Sequence, residues 1–140
     1  MDEEQANAAK KETDHWAYDV RIDAQPWMVR LVRDSLASAL RWRGQAELTD
    51  TAVLLLSEVA SNGITHTGLP VTVQMCWQAG RLRVSVRDES PTFPMQREQH
   101  DDAERGRGLL LVDACAAAWG VRECATRTGK VVWFELGGST

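Results

Sequence analysis

The sequence contains few cysteines, no long apolar run and no basic run, and each shortage excludes a class of protein. Its three cysteines form no C-x-x-C pair and no cluster with histidine, which argues against a metal site and favours reduced, buried thiols in a cytoplasmic protein. No apolar run approaches the ~20 residues that a membrane span needs. The formal net charge of −4, without a basic cluster, argues against direct binding of nucleic acid.

The composition that remains is typical of one globular domain. The chain has 140 residues, of which 44% are hydrophobic and 26% are charged, so it is long enough to bury a core. We predict the domain at 15–136. It follows a polar leader at 1–14, which is expected to be disordered and lacks the apolar segment of a signal peptide, and it precedes a short tail at 137–140.

The most informative stretch is a predicted helix within 54–68 that carries Glu58 and Asn62. Residues four apart lie on the same helical face, so this carboxylate and this amide are neighbours. The opposite, apolar face is made of Val53, Leu56, Val59, Ala60 and Gly63. Leu54 and Leu55 nevertheless lie among the polar residues, so we expect a loop or a ligand to cover the second face as well.

A carboxylate and an amide in such a place need partners. ATP with Mg²⁺ is one candidate, because an amide oxygen is a hard ligand for Mg²⁺ and a carboxylate can take up a proton. By itself the Glu-x-x-x-Asn spacing is a weak signal, and its interpretation depends on the rest of the chain.

The remaining stretches predict an α+β fold. Alternating apolar residues indicate strands at 15–22, 71–77, 81–87, 121–126 and 130–136. Helical periodicity indicates helices at 26–42 and 109–118, and the helix of Asn62 is expected to begin at a Thr49 or Asp50 cap. The predicted architecture is a two-layer sandwich, in which a mixed, mostly antiparallel sheet is covered on one face by three helices.

Asp88 continues the inward-facing set of its strand, after Leu82, Val84 and Val86. Two interpretations stay open: this carboxylate forms the turn that ends the strand, or it is a buried acceptor for a ligand. The stretch 89–107 that follows shows no period. A structureless stretch of this length is usually functional or disordered.

Arg105, Gly106, Arg107 and Gly108 precede the helix that is predicted at 109–118. Glycines before a helix leave backbone N–H groups free to face an anion. The alternative is a flexible hinge followed by a core helix. Other phosphate motifs fail, because the pattern lacks the third glycine of a dinucleotide fold and Gly129 is not part of a complete P-loop.

Three blocks of the sequence resemble the ATP-binding domain shared by histidine kinases, gyrase B, Hsp90 and MutL. They are SEVASNGITHTG, VRDESP and GRGLLLVDACAAAWGV, which are similar to the N box and the two glycine boxes of that superfamily. Over roughly 16–136, the chain most resembles the small single-domain branch. That branch consists of the anti-sigma factor serine/threonine kinases of the RsbW and SpoIIAB kind.

The resemblance implies a role for each candidate residue. Glu58 would be the catalytic base that activates a hydroxyl, Asn62 would bind Mg²⁺, and Asp88 would accept a hydrogen bond from the adenine amino group. Arg105 or Arg107 would lie near the γ-phosphate, with 89–107 as the ATP lid. The implied ATP contacts are Asn62, Asp88, Ser90, Arg105, Gly106, Arg107, Gly108 and Leu109.

The sequence departs from the family pattern at two places. The first glycine box, DESPT from Asp88 onward, contains no glycine, and Val131 stands where the family often has a threonine near adenine. The resemblance implies a sigma factor and an anti-anti-sigma (STAS) protein as partners, and it leaves a homodimer open. Two functions remain: a kinase that holds a sigma factor and phosphorylates its antagonist, and a non-catalytic, ATP-dependent binding switch.

Overall fold

The computed structural model describes residues 15–90, 102–124 and 128–137, with the backbone alone for 102–107. The predicted leader at 1–14 and the middle of the predicted lid at 91–101 lie outside the described residues. Of the predicted tail only Gly137 is described, and it ends the last strand.

The described chain forms one sheet and three α-helices. In chain order the elements are β1 (Trp16–Ile22), α1 (Pro26–Trp42), α2 (Thr49–Thr67), β2 (Val71–Gln78), β3 (Arg81–Asp88), α3 (Asp102–Cys115), β4 (Ala118–Glu123) and β5 (Lys130–Gly137). The strand order across the sheet is β1-β2-β3-β5-β4. The predicted α+β sandwich is confirmed. The sheet is antiparallel at each described pairing instead of mixed, because β2–β3 and β4–β5 are hairpins and the other two pairs also run in opposite directions.

The core lies between the helices and one face of the sheet. The register aligns buried side chains of neighbouring strands in rows, such as Met75 opposite Val84 and Val84 opposite Phe134. The helices add Val29, Val32, Leu36 and Leu40 from α1 and Ala52, Leu55, Leu56, Val59, Ala60 and Ile64 from α2. The site described below lies at the end of this core where β3 finishes.

Helix α2 departs from its predicted cap and from one of its predicted faces. It continues directly from a 3₁₀ turn at Ala46–Leu48, and no side chain caps it, so the expected Thr49 or Asp50 cap is wrong. Leu55 lies on the predicted polar side but is fully buried, whereas Leu54 is 44% exposed. The apolar face is wider than the predicted arc because α2 packs against α1 as well as against the sheet.

Helix α3 begins at Asp102 and ends at Cys115, instead of extending from Leu109 to residue 118. Gly106 and Gly108 therefore lie inside the helix. Glycine is a poor helix former, so two glycines in the first half of α3 hide its beginning in the sequence. The last part of the predicted lid, from Asp102 onward, is helical.

Strand β4 also begins earlier than predicted, at Ala118 instead of Val121, and it ends at Glu123 instead of residue 126. The alanine-rich run before it favours a helix by local propensity. Pairing with β5 overrides that preference, because Ala118 lies opposite Glu135 and the register continues from there. Residues 125–127 lie outside the described residues.

The sheet face away from the helices is polar and rich in arginine. The guanidinium of Arg83 lies 4.1 Å from the ring centroid of Trp133, an arrangement that is typical of a cation–π contact. Glu135 lies within 3.4 Å of Arg81 and 3.3 Å of Arg83. This face therefore carries charge that is partly paired within the sheet.

In the described part of the chain, no helix is both long and apolar enough to cross a membrane. Cys115 is exposed, and Cys76 and Cys124 are half-buried, so the prediction that the cysteines are buried is wrong.

Two adjacent leucines of α2 provide a test of the core. Leu55→Ala should lower the free energy of unfolding by ~2–5 kcal/mol, because it removes a fully buried side chain and leaves a cavity. Leu54→Ala is the matched control and should cost less than ~1 kcal/mol, since Leu54 is partly in solvent. Urea unfolding measures both. Equal losses would contradict the assignment of faces on α2.

Candidate functional site

Glu58 and Asn62 lie one turn apart on α2, and both side chains are half-buried. Helix α3 lies directly against them. A Cβ atom added to Gly108 would come within 2.5 Å of Asn62 Nδ2 and 3.8 Å of Glu58 Oε2. We call these three residues the helix cluster. The polar face of α2 is covered here by a helix, instead of by the loop or ligand that the sequence pattern predicts.

Gly108 lets the backbone of α3 lie close to the Asn62 side chain, because glycine has no Cβ atom. Only the first turn of a helix has N–H groups without partners inside the helix, and in α3 that turn precedes Gly106. The prediction that Gly106 and Gly108 lie before a helix N-terminus is therefore wrong. Arg105 and Arg107 lie on the same helix with side chains outside the described part, and Leu109 is half-buried. Contacts of this segment with phosphate stay predictions.

Asp88 is 4% exposed at the end of β3. Its Oδ1 atom accepts two backbone hydrogen bonds, each 3.2 Å long, from the N–H groups of Ser90 and Lys130. The bond to Ser90 is the turn-forming contact of one interpretation. The bond from Lys130 connects the same carboxylate to a second strand, β5. Because both bonds go to one oxygen, they fix the orientation of the carboxylate.

The β4–β5 hairpin closes on Asp88 through a glycine. Gly129 has a φ of +114°, a region that strongly favours glycine. A Cβ atom there would overlap the Asp88 carbonyl oxygen and lie 3.3 Å from Asp88 Oδ1. Sequence reasoning missed this residue as part of the site, although the Gly-Lys turn between two strands was visible.

Val131, two residues after Gly129, corrects a second expectation. Val131 pairs with Arg87 on the polar face of the sheet, so it does not lie on the side of Asp88 where the resemblance places an adenine contact. Lys130 does share that side and is buried. Asp88, Ser90, Gly129 and Lys130 form what we call the strand-end cluster.

The helix cluster and the strand-end cluster border the same end of the core. Gly63 follows Asn62 in α2, and a Cβ atom added to it would lie 3.1 Å from Val71 Cγ1. Val71 in turn lies directly opposite Asp88 in the sheet. The fold therefore brings Glu58, Asn62, Asp88, Ser90 and Gly108 to one region, although they come from distant parts of the sequence.

Glu89 points to the other side of the sheet from Asp88. Its carboxylate oxygens accept hydrogen bonds of 2.7 Å and 3.1 Å from the Arg21 guanidinium, and this contact raises the pKa of Arg21. A hollow of about 310 Å³ there is lined by Arg21, Arg87, Glu89 and Thr128. It lies on the polar face of the sheet and is not the region formed by the two clusters.

Residues 22–136 match the sequence model of a family described as the histidine kinase-like ATPase domain. The chain belongs to the histidine kinase-like ATPase family. A comparison with curated proteins finds no match. Membership supports ATP binding by this ATPase domain and agrees with its antiparallel sheet and three helices. The narrower resemblance to anti-sigma factor kinases goes beyond the family match.

The two clusters of this ATPase domain fit an adenine nucleotide with Mg²⁺. Asp88 provides a buried, oriented acceptor of the kind that an amino group requires. Asn62 provides an amide oxygen, and the amide atom closest to Gly108 is the nitrogen. Among the described residues, no three His, Cys, Asp or Glu side chains are grouped to hold a metal. Mg²⁺ would therefore need phosphate oxygens as further ligands.

Gly108→Ala should separate stability from nucleotide binding. Alanine is the better helix former by ~1 kcal/mol, but its Cβ would overlap the Asn62 amide and turn it away. We expect a melting temperature close to wild type and an MgATP affinity, measured by calorimetry, that is lower by roughly tenfold or more.

The double variant with Asn62→Ala is the control for Gly108→Ala. If the added methyl group acts through the amide, it should cause little further loss of affinity once the amide is gone. If the losses of MgATP affinity in the two single variants add fully in the double variant, the methyl group acts elsewhere.

Asp88→Asn tests the recognition of adenine. The N–H groups of Ser90 and Lys130 would keep the amide oxygen at the place of Oδ1, so the NH₂ group would replace the other oxygen. Two donors would then oppose each other, a mismatch of ~1–3 kcal/mol, or roughly tenfold to a hundredfold in affinity. Competition binding should show a smaller preference for ATP over GTP. An unchanged preference in the folded variant would place adenine elsewhere.

Proposed function

We propose that this ATPase domain is an anti-sigma factor kinase of the cytoplasm. It would hold a sigma factor and transfer the γ-phosphoryl group of ATP to a serine or threonine hydroxyl of an anti-anti-sigma (STAS) protein. The observation that carries the proposal is the helix cluster. A carboxylate and an amide lie one turn apart on α2, and both lie beside Gly108 of α3.

Asn62 and Glu58 of α2 would have separate roles in this reaction. The Asn62 oxygen would bind Mg²⁺, which neutralises charge on the phosphates when it is bound. Glu58 is not required for that grip, and its carboxylate would take the proton of the attacking hydroxyl. As the hydroxyl oxygen bonds to the γ-phosphorus, the bond to ADP breaks and the proton passes to Glu58. Positioning and proton removal are then the protein's contributions.

Large apolar side chains on α1 support a function that involves a protein partner. Trp27, Leu31 and Trp42 are 64%, 56% and 87% exposed, and their spacing places them on one side of the helix, away from its buried residues. Exposed apolar patches are typical of protein interaction sites. The sigma factor, the STAS protein and a homodimer remain predictions.

One observation favours the second function, a switch that binds ATP and a partner without phosphoryl transfer. The first glycine box contains no glycine, and the N–H of Ser90 within it is already bonded to Asp88. A stiffer backbone at this point would change how the base is held and would leave Glu58 and Asn62 unaffected. Activity therefore has to be tested separately from binding.

Glu58→Gln separates the two functions. The amide keeps the shape of the side chain but cannot take a proton, and positioned general bases contribute ~10²–10⁴-fold. Binding of MgATP and of the partner should persist, while phosphoryl transfer to a STAS protein falls by a factor in that range. Transfer is measured with labelled ATP. Glu47→Gln, at an exposed position in the turn before α2, is the matched control and should leave transfer unchanged.

Two results would contradict the kinase. Wild-type protein that transfers no phosphate to any STAS candidate, while ATP changes its partner binding, would establish the switch. Wild-type protein that does not bind MgATP would refute both functions.

A further inference from the structure

Lys130 is a buried lysine to which the proposed function gives no role. It is 7% exposed, although lysine is almost never buried unless its charge is paired. No ion pair or hydrogen bond joins its ammonium to another described residue. The ammonium is also not among the described buried polar atoms that lack a hydrogen-bond partner, so solvent reaches it although the stem is buried, and an anionic or acceptor-bearing ligand can reach it as well.

The position of Lys130 identifies the ligand atoms within its reach. Its backbone N–H donates to Asp88 Oδ1 at 3.2 Å, so the two residues are direct neighbours across β3 and β5. Side chains alternate along a strand, and the next members of the same set on β5, Val132 and Phe134, belong to the core or pack against it. The Lys130 side chain therefore leaves the sheet on the same face as the Asp88 carboxylate. The cross-strand neighbour on β4, Glu123, is exposed.

We propose that Lys130 is a specificity-determining residue that reads the adenine base together with Asp88. The proposal rests on the proposed binding of ATP at this site. Asp88 would accept a hydrogen bond from the adenine amino group, and the Lys130 ammonium, which has donors and no acceptor, would donate to the neighbouring ring nitrogen, N1. The acceptor on β3 would thus face the amino donor of adenine, and the donor on β5 would face the N1 acceptor on the same edge of the base.

The same pair opposes guanine. Guanine carries an oxygen where adenine carries its amino group, and its N1 bears a hydrogen. In the same pose its oxygen would face the Asp88 carboxylate and its N1–H would face the ammonium, so both contacts would be mismatched. A site that is built to form hydrogen bonds discriminates strongly against analogues that leave its polar groups unpaired. Lys130 would supply base selectivity in a chain whose first glycine box lacks glycine.

The test compares two proteins with three nucleotides by calorimetry in the presence of Mg²⁺. Lys130→Met removes the donor and keeps an apolar stem, and the nucleotides are ATP, GTP and 1-deaza-ATP, in which a C–H replaces N1. We expect Lys130→Met to bind ATP roughly tenfold to a hundredfold more weakly than wild type and to bind GTP with little change. Wild type should lose a similar factor with 1-deaza-ATP, and the variant should show no further loss.

Lys130→Arg is the matched control, because it keeps a charged donor and should retain most of the preference for ATP over GTP. Equal losses for ATP and GTP in Lys130→Met would place the ammonium at the ribose or phosphates and overturn the proposal. Equal wild-type affinities for ATP and 1-deaza-ATP would also overturn it, even if Lys130→Met does not fold. Failure of wild type to bind ATP at all would instead refute the proposed function, together with this inference.

Discussion

The contact between Gly108 and Asn62 controls how helix α3 meets the rest of the molecule. A hydrogen atom in place of a side chain lets the backbone of α3 lie against the polar face of α2, where a methyl group would reach 2.5 Å from the amide nitrogen. The orientation of the amide and the cover over Glu58 both depend on this approach. With any larger residue at this position, either α3 would lie further from α2 or the Asn62 amide would turn away.

The two ends of the site are built by different means. The helix cluster depends on side chains that project from one helix towards another, so its geometry follows the distance between α2 and α3. The strand-end cluster depends on backbone hydrogen bonds and on strand register, with Asp88 held by two N–H groups. In the proposed function, base recognition would therefore depend on the sheet, whereas metal binding and proton transfer would depend on an interface between helices, which is easier to displace.

Local periodicity accounts for the parts of the fold and the site that the sequence predicts well. Helix α1 has the predicted bounds because a proline begins it and apolar residues recur at helical spacing. The inward direction of Asp88 follows from strand alternation alone. The spacing of Glu58 and Asn62 places them on one face of α2 in the same way.

The remaining features depend on contacts between distant segments. Gly129 and Lys130 matter because β5 pairs with β3, although Lys130 follows Asp88 by 42 residues, and no local pattern reports that register. Leu55 is buried because α1 packs on α2. Helix α3 contains two glycines that lower its local propensity, so the local sequence does not report that the helix begins at Asp102.

The attachment of α3 to the sheet sets the way in which this helix can move. At its C-terminal end, the Trp119 indole N–H donates to Asp113 Oδ1 and the Ala117 N–H donates to the Glu135 carbonyl oxygen, each at 2.8 Å. A rotation that keeps these bonds pivots about that end. For a helix of 14 residues, about 20 Å long, a swing of about 10° would carry the N-terminal end through about 3–4 Å and Gly108, near the middle, through about half of that. In such a rotation, the displacement of α3 would be smallest beside the sheet and largest at its N-terminal end, which follows residues 91–101 in the chain.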